Sequence, residues 1–290
     1  MPRYAYVNGR YVPHQYARVH IEDRGYQLAD GVYEVLPVVD GVPLDEKLHL
    51  DRLDRSMREI AIRWPMARRA MELVARELLR RNRLQHGLLY IQVTRGVAPR
   101  DHPFPPASVR PSLVMTTMRR PAAKRAGEVT GITVITTPDL RWKRCDIKAI
   151  GLLPNVLAKQ RAIEAGADEA WMVDEAGMVT EGSSTNAWIV TKDGALVTRQ
   201  ADSSILNGIT RQVILDLVRR EGLRFEERPF SLDEAREARE AFITSSSNYA
   251  LPVIAIDGRP VGNGAPGLLT TRLRDLSLDL AAAAVAAAKR

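Results

Sequence analysis

The sequence predicts an α+β fold in two domains. Three observations lead there. Short strands and turns alternate in the N-terminal third before two amphipathic helical stretches, and a basic stretch at 119–128 contains proline and glycine but no apolar periodicity. Beyond it, many short strands at regular spacing suggest a barrel-like sheet. At 290 residues the chain exceeds the roughly 250 at which single cores stop growing. We therefore expect a small α+β domain at 1–120, a linker at 121–127 and a second domain at 128–290.

In the first domain, Asn8-Gly9 lies between Tyr4-Ala5-Tyr6-Val7 and Arg10-Tyr11-Val12. This is a strong hairpin signal, because both residues tolerate the positive φ of a two-residue turn. Residues 32–39 read as a strand ending at Asp40-Gly41, amphipathic helices follow at 46–61 and 68–81, and strands at 88–94 and 113–118 close the domain. In the second, strands are expected at 130–136, 169–173, 187–191, 196–198, 241–244 and 253–256, with turns at Lys192-Asp193-Gly194 and Asp257-Gly258. Helices interrupt them at 155–165, stopped by Gly166, at 211–221, stopped by Gly222, and after Ser231, where Ser-Leu-Asp-Glu is a capping box.

Hydrophobic residues at 45% and charged residues at 27% suit a packed core rather than a disordered chain. Cys145 is the only cysteine, so no intrachain disulfide can form, a Cys/His zinc cluster lacks material, and a reducing cytoplasm fits. Residues 1–10 lack the charged-then-apolar pattern of a leader, and the apolar stretch 278–288 is too short and alanine-rich to span a bilayer. A net charge of +7 raises the question of nucleic acid, which basic proteins bind by releasing counterions. The arginines, however, are scattered through acidic stretches at 59–81 and 219–239, with no dense basic tail or interleaved aromatics. An anionic cofactor and an anionic substrate are the expected partners, with no nucleic acid and no membrane.

Five segments carry candidate chemistry. In Arg144-Cys145-Asp146-Ile147-Lys148 a lysine closes a stretch already holding Arg141 and Lys143. It reads as a solvated basic strand, or as an amine that neighbouring cations keep ready to attack an aldehyde. In Thr180-Glu181-Gly182-Ser183-Ser184 an ordinary turn is one reading; the other is an acid for the ring nitrogen of a phosphorylated pyridine, with hydroxyls close by. Thr210, after Asn207-Gly208-Ile209, reads as the N-cap of the helix at 211–221, whose outward amides form an anion site. The hydroxyl cluster Thr244-Ser245-Ser246-Ser247 suits the same phosphate, and Arg52, on the helix with His49 and Arg55, suits its counter-charge.

Together and in this order, these segments resemble the fold-type IV family of pyridoxal 5'-phosphate enzymes. The resemblance covers essentially the whole chain. It rests also on Glu22-Asp23-Arg24-Gly25-Tyr26 with Asp30-Gly31-Val32-Tyr33-Glu34, on His49-Leu50-Asp51-Arg52-Leu53, on Leu157-Ala158-Lys159-Gln160 and on Gly208-Ile209-Thr210-Arg211. It implies a small α+β domain and a larger pseudo-barrel domain with the cofactor between them, in a homodimer. It further implies that Lys148 is the Schiff-base lysine and that Glu181 pairs with the pyridine nitrogen. Arg52, the amides of Ile209 and Thr210 and the hydroxyl of Ser246 would bind the phosphate, with Ser183, Ser184 and Leu206 also at the cofactor.

Within the family, Thr94-Arg95-Gly96-Val97-Ala98-Pro99-Arg100-Asp101-His102 reads either as a basic surface loop or, by resemblance, as the carboxylate trap of the D-amino acid aminotransferase branch. There Arg100 and His102 reach in from the neighbouring subunit and Tyr33 completes the grip; arginine's fork matches a carboxylate. The branch implies ping-pong transamination between a D-amino acid and a 2-oxo acid, 2-oxoglutarate or pyruvate. Branched-chain L-aminotransferases, (R)-amine transaminases and aminodeoxychorismate lyase are the alternatives in the family, and a catalytically dead scaffold one outside its chemistry. Gln27-Leu28-Ala29 and Asn248-Tyr249 depart from the branch's pattern, which bears on the side-chain pocket and not on the Schiff base.

Overall fold

The computed structural model describes residues 3–290; Met1 and Pro2, where the segment read for a leader begins, lie outside the described residues. The chain forms two units. The first comprises Met1–Ala122, Ile147–Gly151 and Ala284–Arg290, and the second Ala123–Asp146 and Leu152–Ala283. The short return of the chain to the first unit at Ile147–Gly151 has no counterpart in the sequence reading.

The first unit opens with the hairpin β1 (Tyr4–Val7) and β2 (Arg10–Pro13), turned by Asn8 and Gly9 at φ 44° and 97°. Helix α1 (Arg24–Leu28), β3 (Gly31–Val39), β4 (Val42–Pro43), α2 (Glu46–Glu59), α3 (Arg68–Asn82), β5 (Gly87–Thr94) and β6 (Ser112–Arg119) follow. Among the described residues the six strands form one antiparallel sheet in the order β2-β1-β6-β5-β3-β4. Strand β3 alternates as a half-buried strand must. Val32, Glu34, Leu36 and Val38 are buried, while Tyr33, Val35 and Pro37 lie on the other face, half-buried. Helix α2 buries the stripe His49, Leu50, Arg52, Leu53, Ser56 and Met57, the spacing of one helical face, and its apolar members join Val32, Leu36 and Ile147 in the core.

In the second unit β7 (Ile132–Pro138), α4 (Leu153–Glu164) and β8 (Glu169–Val173) form a parallel strand–helix–strand crossover. Strands β9 (Val179–Gly182), β10 (Asn186–Val190) and β11 (Leu196–Thr198) follow, then α5 (Ile209–Arg220), β12 (Phe225–Glu227), α6 (Leu232–Glu237), β13 (Glu240–Ser245), β14 (Tyr249–Ile256), β15 (Arg259–Pro260) and α7 (Leu268–Ala288). Among the described residues they form a nine-stranded sheet in the order β12-β11-β10-β13-β14-β7-β8-β9, with β15 on β14. The end strand β9 comes back beside β10, so the sheet curls into the expected half-barrel around Trp171, Phe230 and the aliphatic residues of β10 and β13.

Three local expectations meet the coordinates differently. Ser231 caps α6, its Oγ accepting from the Glu234 amide at 3.1 Å, but the expected capping box is only half made, because the Glu234 carboxylate accepts from Arg228 instead. Thr210 is not a cap: α5 begins at Ile209 behind Gly208, because the glycine already leaves the helix in extended backbone and Thr210 falls in the first turn. Of the segment 180–184, for which a turn is one reading, Thr180–Gly182 belong to strand β9, held by Trp171↔Gly182 and Val173↔Val179 pairing, and only Ser183 and Ser184 lie in a bend. No helix among the described residues is long and apolar enough to cross a membrane.

The start of α7 is capped from a distance, since buried Glu240 of β13 accepts from the amides of Leu269 at 3.1 Å and Thr270 at 2.9 Å and from Thr270 Oγ1 at 2.9 Å. Gly267 admits that carboxylate, because a Cβ there would sit 2.1 Å from Glu240 Cδ. A charge-assisted cap on a helix dipole is worth on the order of 1–2 kcal/mol. Glu240→Gln is expected to lower the urea midpoint of unfolding by that loss with an unchanged m-value.

Candidate active site

In the first unit, the segment around Lys148 is bonded to the beginning of β3. The Tyr33 amide donates to Lys148 O at 3.0 Å and the Ile150 amide to Gly31 O at 3.1 Å, on either side of a Val32↔Ala149 bridge. Gly31 permits the approach, since a Cβ there would lie 3.0 Å from Ile150 Cδ1 and 2.8 Å from Val93 O. The Lys148 amide donates to Ser56 Oγ of α2 at 3.3 Å. Its backbone is thus fixed from two elements, while Nζ lies 4.3 Å from the centroid of the Tyr33 ring. Among the described residues Nζ has no carboxylate partner. Tyr33 also stacks on Tyr90, ring centroids 5.6 Å apart.

Arg52 stands one turn before Ser56 on the same face of α2, and its Nε and Nη2 donate to the two oxygens of buried Glu34 at 2.7 and 2.8 Å. His49 Nδ1 lies 2.7 Å from Glu34 Oε2. A carboxylate can only accept, so Nδ1 carries the hydrogen. Burial holds His49 below its ordinary range against the pull of Glu34, which makes this contact a neutral imidazole's hydrogen bond rather than an ion pair. Burial pushes Glu34 up, but Arg52 and His49 outweigh it and bring the carboxyl down to about 2. Glu34 therefore aims the arginine assigned to the phosphate. No sequence motif announced that role.

Arg100 and His102 lie in the irregular chain after β5, and both are exposed. Their loop is tied back by Arg24, whose Nη1 donates to Asp101 O at 2.6 Å and whose Nη2 donates to His102 O at 3.3 Å.

In the second unit, Glu181 at the end of β9 is buried. Arg141 Nη1 donates to its Oε1, and Asn186 Nδ2 at 2.9 Å and the Leu206 amide at 3.1 Å donate to Oε2. Arg141 is pinned in turn by Asp139 at 2.7 Å and by Ser204 O at 2.9 Å. The structure thus joins Glu181 with Leu206, Arg141 and Asn186; the sequence reading placed Arg141 only among the cations near Lys148 and gave Asn186 no role. Gly208 is required beside them, since a Cβ on it would come 2.1 Å from Asn186 Oδ1. Ser183 Oγ donates to buried Glu169 and Ser184 Oγ lies 3.5 Å from the same carboxylate, so these hydroxyls are anchored from β8. Burial pushes the Cys145 thiol up to about 11 against the pull of Arg141, which removes it as a nucleophile at neutral pH.

The phosphate candidates other than Arg52 fall in this unit. Gly208 gives α5 no side-chain cap, leaving the amides of Ile209 and Thr210 without the hydroxyl partner that a Ser or Thr cap supplies. Ser246 sits in the turn between β13 and β14, and its hydroxyl has no partner among the described residues. Of the same cluster, Thr244 is committed inward, its Oγ1 accepting from Trp188 Nε1 at 3.0 Å.

Removing one member of a buried ion pair leaves the other uncompensated, at a cost of roughly 3–5 kcal/mol. Glu34→Gln is expected to destabilise the protein by about 3 kcal/mol at pH 7, read by urea unfolding. Because the fold holds this carboxyl near 2 against an ordinary 4.5, its contribution is complete above pH 4.5 and is lost as pH falls through about 2. The gap between wild type and Glu34→Gln should therefore close across that window. A gap that stays constant down to pH 2 would count against the assignment.

Residues 31–256 match the family model described as amino-transferase class IV. The chain is 41% identical over 269 residues to a D-alanine aminotransferase of Bacillus licheniformis, covering 92% of this chain and 93% of that one. It is 39% identical over 270 residues to a D-alanine aminotransferase of Staphylococcus haemolyticus, covering 93% and 95%. Among solved structures it superimposes with TM-score 0.82 and 26% identity on the PLP-form of the branched-chain amino acid aminotransferase from Thermobaculum terrenum, over 96% of this chain and 94% of that one. With Lys148 fixed at the head of β3 and Glu181 held among Arg141, Asn186 and Leu206, matched along nearly its whole length, the chain belongs to the class IV aminotransferases.

Proposed function

We propose that the protein transfers the amino group of a D-amino acid to a 2-oxo acid, 2-oxoglutarate or pyruvate, in two half-reactions with pyridoxal 5'-phosphate as cofactor. The observation that carries this reading is the 41% identity with a D-alanine aminotransferase over 92% of the chain. The residues fit that cofactor. Lys148 Nζ is free of any carboxylate among the described residues, α5 starts without a side-chain cap, and the Glu181 carboxylate is buried among donors.

When bound, the cofactor supplies an electron sink that lets a proton leave the substrate's Cα. Lys148 would hold it covalently through Nζ. Once freed by the incoming amine, Nζ would be the base that moves the Cα proton to the cofactor's C4′ and, in the second half-reaction, moves one from there to the Cα of the new amino acid. Glu181, paired with the Arg141 guanidinium, would hold a proton on the pyridine nitrogen. Arg52, the amides of Ile209 and Thr210 and the Ser246 hydroxyl bind the phosphate, with Ser183, Ser184 and Leu206 at the ring. Tyr33, Arg100 and His102 hold the substrate carboxylate, the latter two offered by the second copy of a homodimer. The lone cysteine suits a reducing cytoplasm.

The likeness to a branched-chain enzyme favours one second reading, transamination of branched-chain L-amino acids. Mixing the holoenzyme with D-alanine or L-leucine and following the cofactor's absorbance separates the two. D-alanine should convert it to the pyridoxamine form and L-leucine should not; the reverse pattern would overturn the proposal. Borohydride should fix the cofactor on the tryptic peptide containing Lys148. Lys148→Ala should lose that label and at least about a hundredfold in kcat, the lower edge of what a positioned base contributes.

A further inference from the structure

The loop of Arg100 and His102 has no regular structure, yet its backbone is tightly specified. At its root, buried Arg95 donates from Nε to Asp30 Oδ2 at 2.7 Å and from Nη2 to Asp30 Oδ1 at 2.9 Å. It also reaches the carbonyls of Ile60 at 2.7 Å and Ala61 at 3.2 Å. Phe104, just past the loop's apex, covers the same guanidinium at 3.6 Å. Asp30 Oδ2 accepts a second time, from Arg24 Nε at 2.8 Å. Arg24 spends its remaining nitrogens on Asp101 O and His102 O, and its amide donates to Gly96 O at 2.9 Å. The three side chains are nearly buried: 3% exposed for Arg24, 9% for Arg95 and 13% for Asp30.

This arrangement fixes orientation as well as position. The carbonyls of Asp101 and His102 flank the His102 residue, and its amide donates to Asp101 Oδ1 at 2.8 Å. The amide of His102 and the carbonyls on either side of it are therefore spoken for. The side chains of Arg100 and His102, by contrast, are exposed and make no ion pair or hydrogen bond among the described residues. A fixed backbone presenting uncommitted side chains is how a protein pre-organises ligand groups. Only an arginine can span two carbonyls and a carboxylate from one planar group; lysine offers a single ammonium.

We propose that Arg24, locked by Asp30, is a positioning residue that sets the Arg100–His102 loop for recognition of the substrate's carboxylate. The inference rests on the reading of Arg100 and His102 as carboxylate ligands. A looser loop still offers the same side chains but must be ordered at each binding event, so the loss falls on binding of the amino acid and not on proton transfer at Cα.

The test compares wild-type holoenzyme with Arg24→Lys, Asp30→Asn and Arg100→Ala. It measures the concentration dependence of the half-reaction with D-alanine, the cofactor's absorbance band, and amide hydrogen exchange across residues 96–104 without substrate. Arg24→Lys is expected to raise the D-alanine concentration for half-maximal rate about 10- to 100-fold. The limiting rate should stay within about threefold, the band should not move, and exchange in the loop should accelerate. Asp30→Asn, isosteric and weakening the same lock, carries the same expectation should Arg24→Lys fail to fold. Arg100→Ala should raise the half-maximal concentration without faster exchange. An unchanged half-maximal concentration in Arg24→Lys, or a loss confined to its limiting rate, overturns the positioning role when Arg100→Ala is impaired. A wild-type response of Arg100→Ala overturns instead the reading of the loop as a carboxylate trap.

Discussion

Two backbone hydrogen bonds at the head of β3, from Tyr33 to Lys148 and from Ile150 to Gly31, are the constraint on which the first unit's share of the chemistry depends. They bring residues more than a hundred positions apart in sequence to adjacent backbone, and β3 then sorts its neighbours by alternation. Tyr33 faces the ammonium of Lys148, while Glu34, one residue on, turns into the core to hold Arg52 and His49. Helix α2 completes the arrangement at helical spacing, with His49 and Arg52 on Glu34 and Ser56 on the Lys148 amide. One strand and one helix thus fix Lys148 and Arg52 through their ordinary periodicities.

The carboxylates that matter are each matched to arginine: Glu34 to Arg52, Asp30 to Arg24 and Arg95, Glu181 to Arg141. Buried pairs of this kind add little net stability against an apolar replacement, because desolvating two ions offsets their attraction. What they supply here is direction. Each arginine's planar fork engages its carboxylate and, for Arg24, Arg95 and Arg141, backbone carbonyls as well. With Asp139 also on Arg141, these arginines are balanced by carboxylates, and the net charge of +7 lies outside these pairs.

Local signals in the sequence were readable where the physics is local. The Asn8-Gly9 turn, the alternation of β3, the stripes of α2 and α3 and the Ser231 cap all follow from spacing and residue type within a few positions. Thr210 misled because a hydroxyl before a helix looks like a cap, whereas Gly208 had already set the chain's entry. The partners of the site residues were not legible. Arg141 on Glu181, Glu240 on α7, Ser56 on Lys148 and Arg24 on the Arg100 loop are contacts across 30 to about 90 positions, invisible to any periodicity. The candidate residues themselves emerged through family resemblance, since each motif taken singly is also an ordinary turn, strand or cap.

Gly208 shows how narrowly such a site can constrain its own variation. The hydrogen at its α-carbon occupies the only room that Asn186 leaves, and Asn186 in turn touches the carboxylate of Glu181. A side chain at this one position would shift the amide that steadies Glu181 and the first turn of α5 together. The Glu181 cluster and the start of α5 are thus mechanically coupled through the smallest residue. A library aimed at new substrates would do well to leave residue 208 alone and to vary the chain around Gln27 and Asn248, where the sequence already departs from its branch.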